Sequence, residues 1–176
     1  MQNLILKKAV ITDLDRIRDF YWKLLDSSEK YTRILQWKKG IYPADDDWIY
    51  YIDNEEMYFI FDNTNLVGAA ALTKSQSAEY RKINWSIDAE DDEVAVIHLL
   101  AVDPDYQGHG IASAALDKIT KLAVNMHKKA VRLDAIATNK PAQKLYERYG
   151  FINCGTAQEY YESTGLTEFI FYEYVL

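Results

Sequence analysis

Residues Leu99-Leu100-Ala101-Val102-Asp103-Pro104-Asp105-Tyr106-Gln107-Gly108-His109-Gly110-Ile111-Ala112 decide the reading of this chain. An apolar strand runs into a turn at Asp103-Pro104-Asp105, and glycines stand where a helix begins. The first amides of a helix have no intrahelical acceptor, and the helix dipole adds partial positive charge there. The stretch therefore reads as an anion site. Gly108 and Gly110 let a diphosphate approach the backbone without a Cβ in the way. Ala112 is small for the same reason, and Gln107 can donate a hydrogen bond.

Val94 to Val102 is a nearly continuous apolar run, as expected of a strand buried on both faces. From Gly110 a helix carries Ile111, Ala115, Leu116, Ile119, Leu122, Ala123 and Met126 on one stripe. Ala130 to Ala137 is the next strand. Asn139 caps a further helix with Pro141 in its first turn, Ala142, Leu145, Tyr146 and Tyr149 inward, and Gly150 as a left-handed cap. Phe151 to Thr156 and Glu168 to Leu176 close the chain as strands. On the N-terminal side, Leu4 to Ile11 is a strand, and Thr12 or Asp13 caps a helix bearing Ile17, Phe20, Tyr21, Leu24 and Leu25 at helical spacing. A second helix is expected over Lys30 to Lys39 and a third, short one over Ala44 to Asp53. Met57 to Asp62 and Leu66 to Leu72 form an antiparallel hairpin around Asn63-Thr64-Asn65, and Ser75 to Asp92 is polar and irregular. The predicted order is β-α-α-β-β-β-α-β-α-β-β.

The length, 176 residues, fits one domain, since domains mostly run about 100–200 residues. With no repeat or linker, residues 1–176 read as a single compact unit. Hydrophobic residues make up 49% and charged residues 27%, which argues against disorder. No apolar run approaches the roughly 20 residues needed to span a bilayer, so no membrane contact is expected. The stretch Met1 to Asp13 alternates apolar with charged residues and lacks a signal core, and Cys154 is the only cysteine; both predict a cytoplasmic protein. Cys154 is expected in the core.

A net charge of −7 disfavours a nucleic-acid partner. Residues 1–93 hold 12 Lys/Arg against 18 Asp/Glu, whereas residues 105–150 hold 8 against 4. An anionic ligand is therefore favoured near the second segment and a cationic one near the first. The histidines and Cys154 lack metal-ligand spacing, so no metal is predicted.

Three phosphate-binding patterns compete for the glycine stretch. A P-loop needs Gly-Lys-Ser/Thr, but Ile111 and Ala112 follow Gly110. A dinucleotide fingerprint needs a third small residue, which is Ser113, and it normally opens the domain instead of lying past residue 93. The third pattern fits best. Gln107-Gly108-His109-Gly110-Ile111-Ala112 resembles the Gln/Arg-x-x-Gly-x-Gly/Ala pyrophosphate loop of the GNAT superfamily of N-acetyltransferases. The preceding Leu-Ala-Val-Asp-Pro is usual there. Asn139-Lys140-Pro141-Ala142-Gln143-Lys144-Leu145-Tyr146-Glu147-Arg148-Tyr149-Gly150-Phe151 looks like its Asn-x-x-Ala-x-x-Leu-Tyr-x-x-x-Gly-Phe segment at every defined position. The resemblance covers residues 94–156 firmly. The loop Trp37…Gly40-Ile41-Tyr42-Pro43 and the segment Glu162-x-x-Gly165-Leu166-x-x-Phe169 are similar to those of an uncharacterised bacterial subgroup.

The resemblance implies an α/β fold of α+β type, with a mixed, mostly antiparallel central sheet flanked by helices. It implies acetyl-CoA as co-substrate, lying between the Val94–Val102 and Ala130–Ala137 strands, and direct attack by an amine without an acyl-enzyme. The expected cofactor-binding residues are Leu100, Ala101, Val102, Gln107, Gly108, His109, Gly110, Ile111, Ala112, Ser113, Asn139, Ala142 and Tyr146. Backbone amides near Leu100 to Val102 would receive the oxyanion, and Tyr146 occupies the usual general-acid position. Asn139 would bond the pantetheine arm or the thiolate while capping its helix.

Candidates for the general base are His98, whose ordinary pKa of about 6.5 suits proton removal, and Glu93 acting through a water, although the run Asp88, Glu90, Asp91, Asp92 and Glu93 reads more simply as a solvated loop. Strand periodicity puts His98 on the face of Val96 and Leu100, where a hydrogen-bonded core histidine is the competing reading. Trp37, Tyr42, Tyr80 and Trp85 form a candidate aromatic wall for the acceptor, with Asp45, Asp46 and Asp47 nearby in sequence; ordinary packing is the alternative. The acceptor is expected to be a small-molecule or peptide amine, and a homodimer is compatible with the apolar last strand. A non-catalytic acyl-CoA sensor or interaction module is the rival from another class, and the intact Asn139 and Tyr146 favour the enzyme.

Overall fold

The computed structural model describes residues 4–161 and 165–176. Glu162 of the closing motif and residues 1–3 of the alternating N-terminus lie outside them. By packing, the chain divides into two compact units, Met1–Leu72 with Leu99–Ile119 and Thr73–His98 with Thr120–Leu176.

In the first unit, β1 (Leu4–Lys8) pairs antiparallel with β2 (Met57–Asp62), and β2 with β3 (Asn65–Thr73). The second half of β4 (Val94–Val102) follows β3, with the Asp103 amide donating to the Val67 carbonyl at 2.9 Å. Gly68 is required by that approach: a Cβ there would stand 2.8 Å from the Ala101 carbonyl oxygen.

Strand alternation sends side chains to two cores. On one face, Phe59, Ala69, Ala71, Leu99 and Ala101 meet Ile17, Phe20, Tyr21 and Leu24 of α1 (Leu14–Ser27) and Trp48 and Ile52 of α3 (Asp45–Asp53). On the other, Leu4, Ile60, Val67, Leu100 and Val102 meet Ile111 and Ala115 of α4 (Ile111–Asn125). The helix expected over Lys30 to Lys39 is shorter. α2 (Glu29–Leu35) is capped by Ser28 and ends at Gln36, whose φ of 55° turns the chain out of the helix. Lys38 and Tyr42 then bridge across Gly40. With α3 counted, the order is β-α-α-α-β-β-β-α-β-α-β-β.

In the second unit, Val94 to Ile97 of β4 pair parallel with Ala130 to Leu133 of β5 (Ala130–Ile136). β7 (Gly165–Val175) runs antiparallel to β5, and β6 (Ile152–Tyr161) antiparallel to β7. Both closing strands are longer than expected, because β-branched and aromatic residues continue past Thr156 and begin before Glu168. The strand order is β1-β2-β3-β4-β5-β7-β6, a mixed and mostly antiparallel sheet, as expected. α5 (Lys140–Tyr149) is held at both ends. Asn139 accepts the Ala142 amide at 3.3 Å, and Gly150, at φ 113°, lets the Phe151 amide reach the Tyr146 carbonyl at 3.0 Å. Cys154 departs from expectation: it sits on β6 only partly buried, since β6 has a single neighbour, β7.

The irregular segment 75–93 is fixed by a buried ion pair. Arg132, 1% exposed, donates Nε–H to Glu173, which is fully buried, at 2.9 Å. Arg132 also donates to Gln76 at 2.6 Å and to the Ile87 carbonyl, and its guanidinium lies 4.2 Å over the Trp85 ring. The other Glu173 oxygen accepts the Ser86 amide at 2.9 Å and the Ser86 hydroxyl. Every charge on this pair is met by hydrogen bonds, which is the condition for burying it.

Candidate active site

In the first unit, Pro104–Tyr106 forms one turn of 3-10 helix, opened by Asp103, whose carboxylate accepts the Asp105 amide at 3.0 Å. Gly108 (φ 80°) and Gly110 (φ 78°) take left-handed backbone that a Cβ disfavours. A Cβ at either would meet nothing within 4 Å, so the ground above the loop is open among the described residues. The Gly110 carbonyl accepts the Ala114 amide at 3.0 Å, so the amides of Ile111, Ala112 and Ser113 lead the helix. Buried Ile111 anchors that helix end, while Ala112 and Ser113 are half-buried and Gly108, His109 and Gly110 exposed. This arrangement fits a diphosphate.

Gln107, expected to donate a hydrogen bond, is engaged within the fold. Its amide donates to the Val102 carbonyl at 3.0 Å, and its oxygen accepts the Tyr31 hydroxyl. Its side chain braces the loop.

Leu99 is the one left-handed, non-glycine residue among the described strands, at φ 55° in the interior of β4. Such backbone costs roughly 1–2 kcal/mol for a residue with a Cβ. It lies two residues after Ile97, the last β4 residue in the described register with β5. Leu100, Ala101 and Val102 follow it. Trp37 meets Tyr21 and Tyr42 edge-on, at 5.8 and 6.5 Å between ring centres. Asp45 holds Arg18 through two hydrogen bonds of 2.9 and 2.6 Å, and the Arg18 guanidinium keeps its carboxyl below the usual carboxylate range. Asp47 accepts the Ala44 amide at 2.8 Å, capping α3. These two acids therefore already have work inside the fold.

In the second unit, the face of Val96 and Phe171 is covered by Tyr80 and Trp85. Tyr80 stacks on Trp85 at 5.6 Å and stands edge-on to His98 at 6.4 Å. Its hydroxyl donates to Asp134 at 2.5 Å. Burial holds the His98 pKa below the usual histidine value, and the Asp134 carboxylate pulls it partway back. Tyr80, Trp85 and His98 thus stand together. Trp85 is engaged by Arg132 and Tyr80, which favours packing over ligand stacking. Glu93 is paired with Lys129 at 2.6 Å, and that bond lowers its pKa.

Tyr146 is 7% exposed and packs against Phe151 and Tyr172. Burial, and then the Asp134 carboxylate, push its pKa far above the phenolic norm, so it keeps its proton at neutral pH. Asn139 and Ala142 are joined through the cap bond, so the capping role expected of Asn139 is present. Sequence reasoning missed Asp134. Its signal was available: Arg132 and Asp134 interrupt an otherwise apolar strand on alternate positions. Among the described residues, no group of three or more His, Cys, Asp or Glu could hold a metal ion, and no helix is long and apolar enough to cross a membrane.

Residues 14–151 match the family model described as acetyltransferase (GNAT) family. An uncharacterized N-acetyltransferase of Methanocaldococcus jannaschii is 29% identical over 140 residues, 79% of this chain and 56% of the relative, so the chain spans just over half that relative's length. The crystal structure of a GNAT-family acetyltransferase from Streptococcus agalactiae superposes with a TM-score of 0.75 at 19% identity, over 99% of this chain and 96% of that one. A protein of Salmonella typhimurium solved with its cofactor acetyl-CoA gives 0.67 at 14%, over 98% and 94%. At these identities the two structures speak to the fold.

Proposed function

This chain belongs to the acetyltransferase (GNAT) family, and on that premise we propose that it transfers an acetyl group from acetyl-CoA to an amine. The observation that carries the reading is the helix opened by Gly108 and Gly110, with its leading amides after a strand bent at Leu99. Bound acetyl-CoA supplies a thioester for direct attack by the amine. The amides of Ile111, Ala112 and Ser113, with those of Gly108 to Gly110, hold the diphosphate, and Gln107 braces them. Leu100 to Val102 offer amides to the acyl oxygen as its charge grows. Asn139 bonds the pantetheine arm while capping α5, and Ala142 leaves room beside it.

Tyr146 keeps its proton at neutral pH and offers it to the departing sulfur. Tyr146→Phe is expected to lower kcat by about 100-fold in an assay of thiol release, with acetyl-CoA affinity nearly kept. Unchanged turnover across pH would strip Tyr146 of the acid role. If the protein binds acetyl-CoA tightly yet releases no thiol with any of a panel of amines, the sensor reading replaces this one.

His98 is the better-supported base, because its imidazole stays neutral at neutral pH while Glu93 is tied to Lys129. The acid limb of kcat/KM should therefore lie below the usual histidine value. Asp134→Asn should move it to still lower pH, because the carboxylate that raises the His98 pKa is gone. A limb that Asp134→Asn leaves in place would dismiss His98. The acceptor is a small-molecule or peptide amine for which Trp37, Tyr42 and Tyr80 are the candidate contacts, Trp85 being taken up by Arg132 and Tyr80, and the lone cysteine supports a cytoplasmic setting.

A further inference from the structure

Leu99 has no glycine's freedom, yet it is held at φ 55° within a strand. The other left-handed, non-glycine residues described, Gln36, Glu55, Asn63 and His127, stand at helix ends or turns. The Tyr21 hydroxyl of α1 donates to the Leu99 carbonyl at 2.7 Å, in the buried interior. Tyr21 is fully buried. Its ring stacks on Trp48 at 5.6 Å and 19°, with Phe20 and Trp37 edge-on at 5.2 and 5.8 Å. The hydroxyl therefore has little freedom to point elsewhere. Two residues along the same helix, Lys23 reaches both oxygens of Asp103 at 2.8 Å and Asp105 at 2.7 Å. α1 so fastens the segment from Leu99 to Asp103 at both ends. The Lys23 end is half exposed, where ion pairs are weak. The Tyr21 end is dry, where a lost partner is felt in full.

The Leu99 carbonyl and the Leu100 amide belong to one planar trans peptide, so they point in opposite directions. Whatever aims the carbonyl aims the amide. We propose that Tyr21 is a positioning residue for acetyl transfer: by fixing the Leu99 carbonyl toward α1, its hydroxyl aims the Leu100 amide at the acyl oxygen. The proposal rests on the reading that the Leu100 to Val102 amides receive that oxygen. Tyr21 itself touches no substrate.

Tyr21→Phe removes one oxygen and keeps the ring in its stack. CoA and acetyl-CoA differ only in the acetyl group, so affinity for CoA reports the diphosphate and pantetheine contacts alone. The expected result for the full chain is CoA affinity within about twofold of wild type and kcat lower by about tenfold or more, the scale of a small misplacement at the reacting centre. Acetyl-CoA should also lose its affinity advantage over CoA. Wild-type kcat in Tyr21→Phe, or a loss of CoA affinity matching the loss of kcat, would overturn the proposal in favour of a purely structural tyrosine. If Tyr21→Phe does not fold, Leu99→Gly loosens the same peptide plane, since glycine takes φ of either sign. It should show the same split, and wild-type kcat there overturns the proposal equally. A wild-type protein that releases no thiol defeats the acetyltransferase reading itself, whereas an active wild type with an equally active Tyr21→Phe defeats only the role of Tyr21.

Discussion

Gly110→Asp is expected to raise the Kd for acetyl-CoA by about ten-thousandfold in calorimetry. Two effects act together. The φ of 78° at Gly110 is backbone that a side chain strains, at roughly 1–2 kcal/mol. The larger effect is charge. A carboxylate about 4 Å from one phosphate charge, at an effective dielectric near 20, is repelled by roughly 4 kcal/mol, and each 1.4 kcal/mol is a factor of ten. Space is not the issue, since a Cβ at Gly110 meets nothing within 4 Å. Gly110→Ala therefore separates the terms and should lose about tenfold through strain alone. An aspartate variant that still binds at wild-type strength would remove the diphosphate from this helix.

Glu173→Ala is expected to cost about 3–5 kcal/mol of stability, because it leaves the Arg132 guanidinium charged, buried and without its carboxylate. For a chain of this size that lowers Tm by about 10 °C or more. The loss should also loosen segment 75–93, because the Ser86 and Ile87 amides lose their acceptor. Protease cleavage within 75–93 at temperatures where the wild type resists would report it. Replacing both partners, Arg132→Met with Glu173→Leu, should recover most of the lost Tm, since the penalty belongs to the orphaned charge. A single variant that melts with the wild type would mean that water reaches Arg132.

The regular second half was legible because it obeys simple rules. A run buried on both faces from Val94 to Val102, a glycine-opened helix and an Asn-capped, Gly-terminated one each carry their own signal. The Leu99 bend was not legible, because leucine is ordinary in a strand and only a tertiary partner, Tyr21, accounts for its backbone. Periodicity alone accordingly carried His98 and Leu100 through as one regular face. The roles of Gln107 and Trp85 were hidden for the same reason. Their partners, Tyr31 and Arg132, lie far off in sequence. The end of α2 at Gln36 also escaped notice, because glutamine is a good helix former and its left-handed turn is settled by the bridge from Lys38 to Tyr42.

The lock formed by Arg132, Glu173, Gln76 and Ser86 has an entropic consequence. Segment 75–93 acquires its shape when the chain folds, before any small molecule arrives. The acceptor proposed to dock against Tyr80 would thus meet a surface already set, with no loop-ordering cost to subtract from its affinity. The same stiffness would leave selection of the proposed acceptor to contour instead of adaptation.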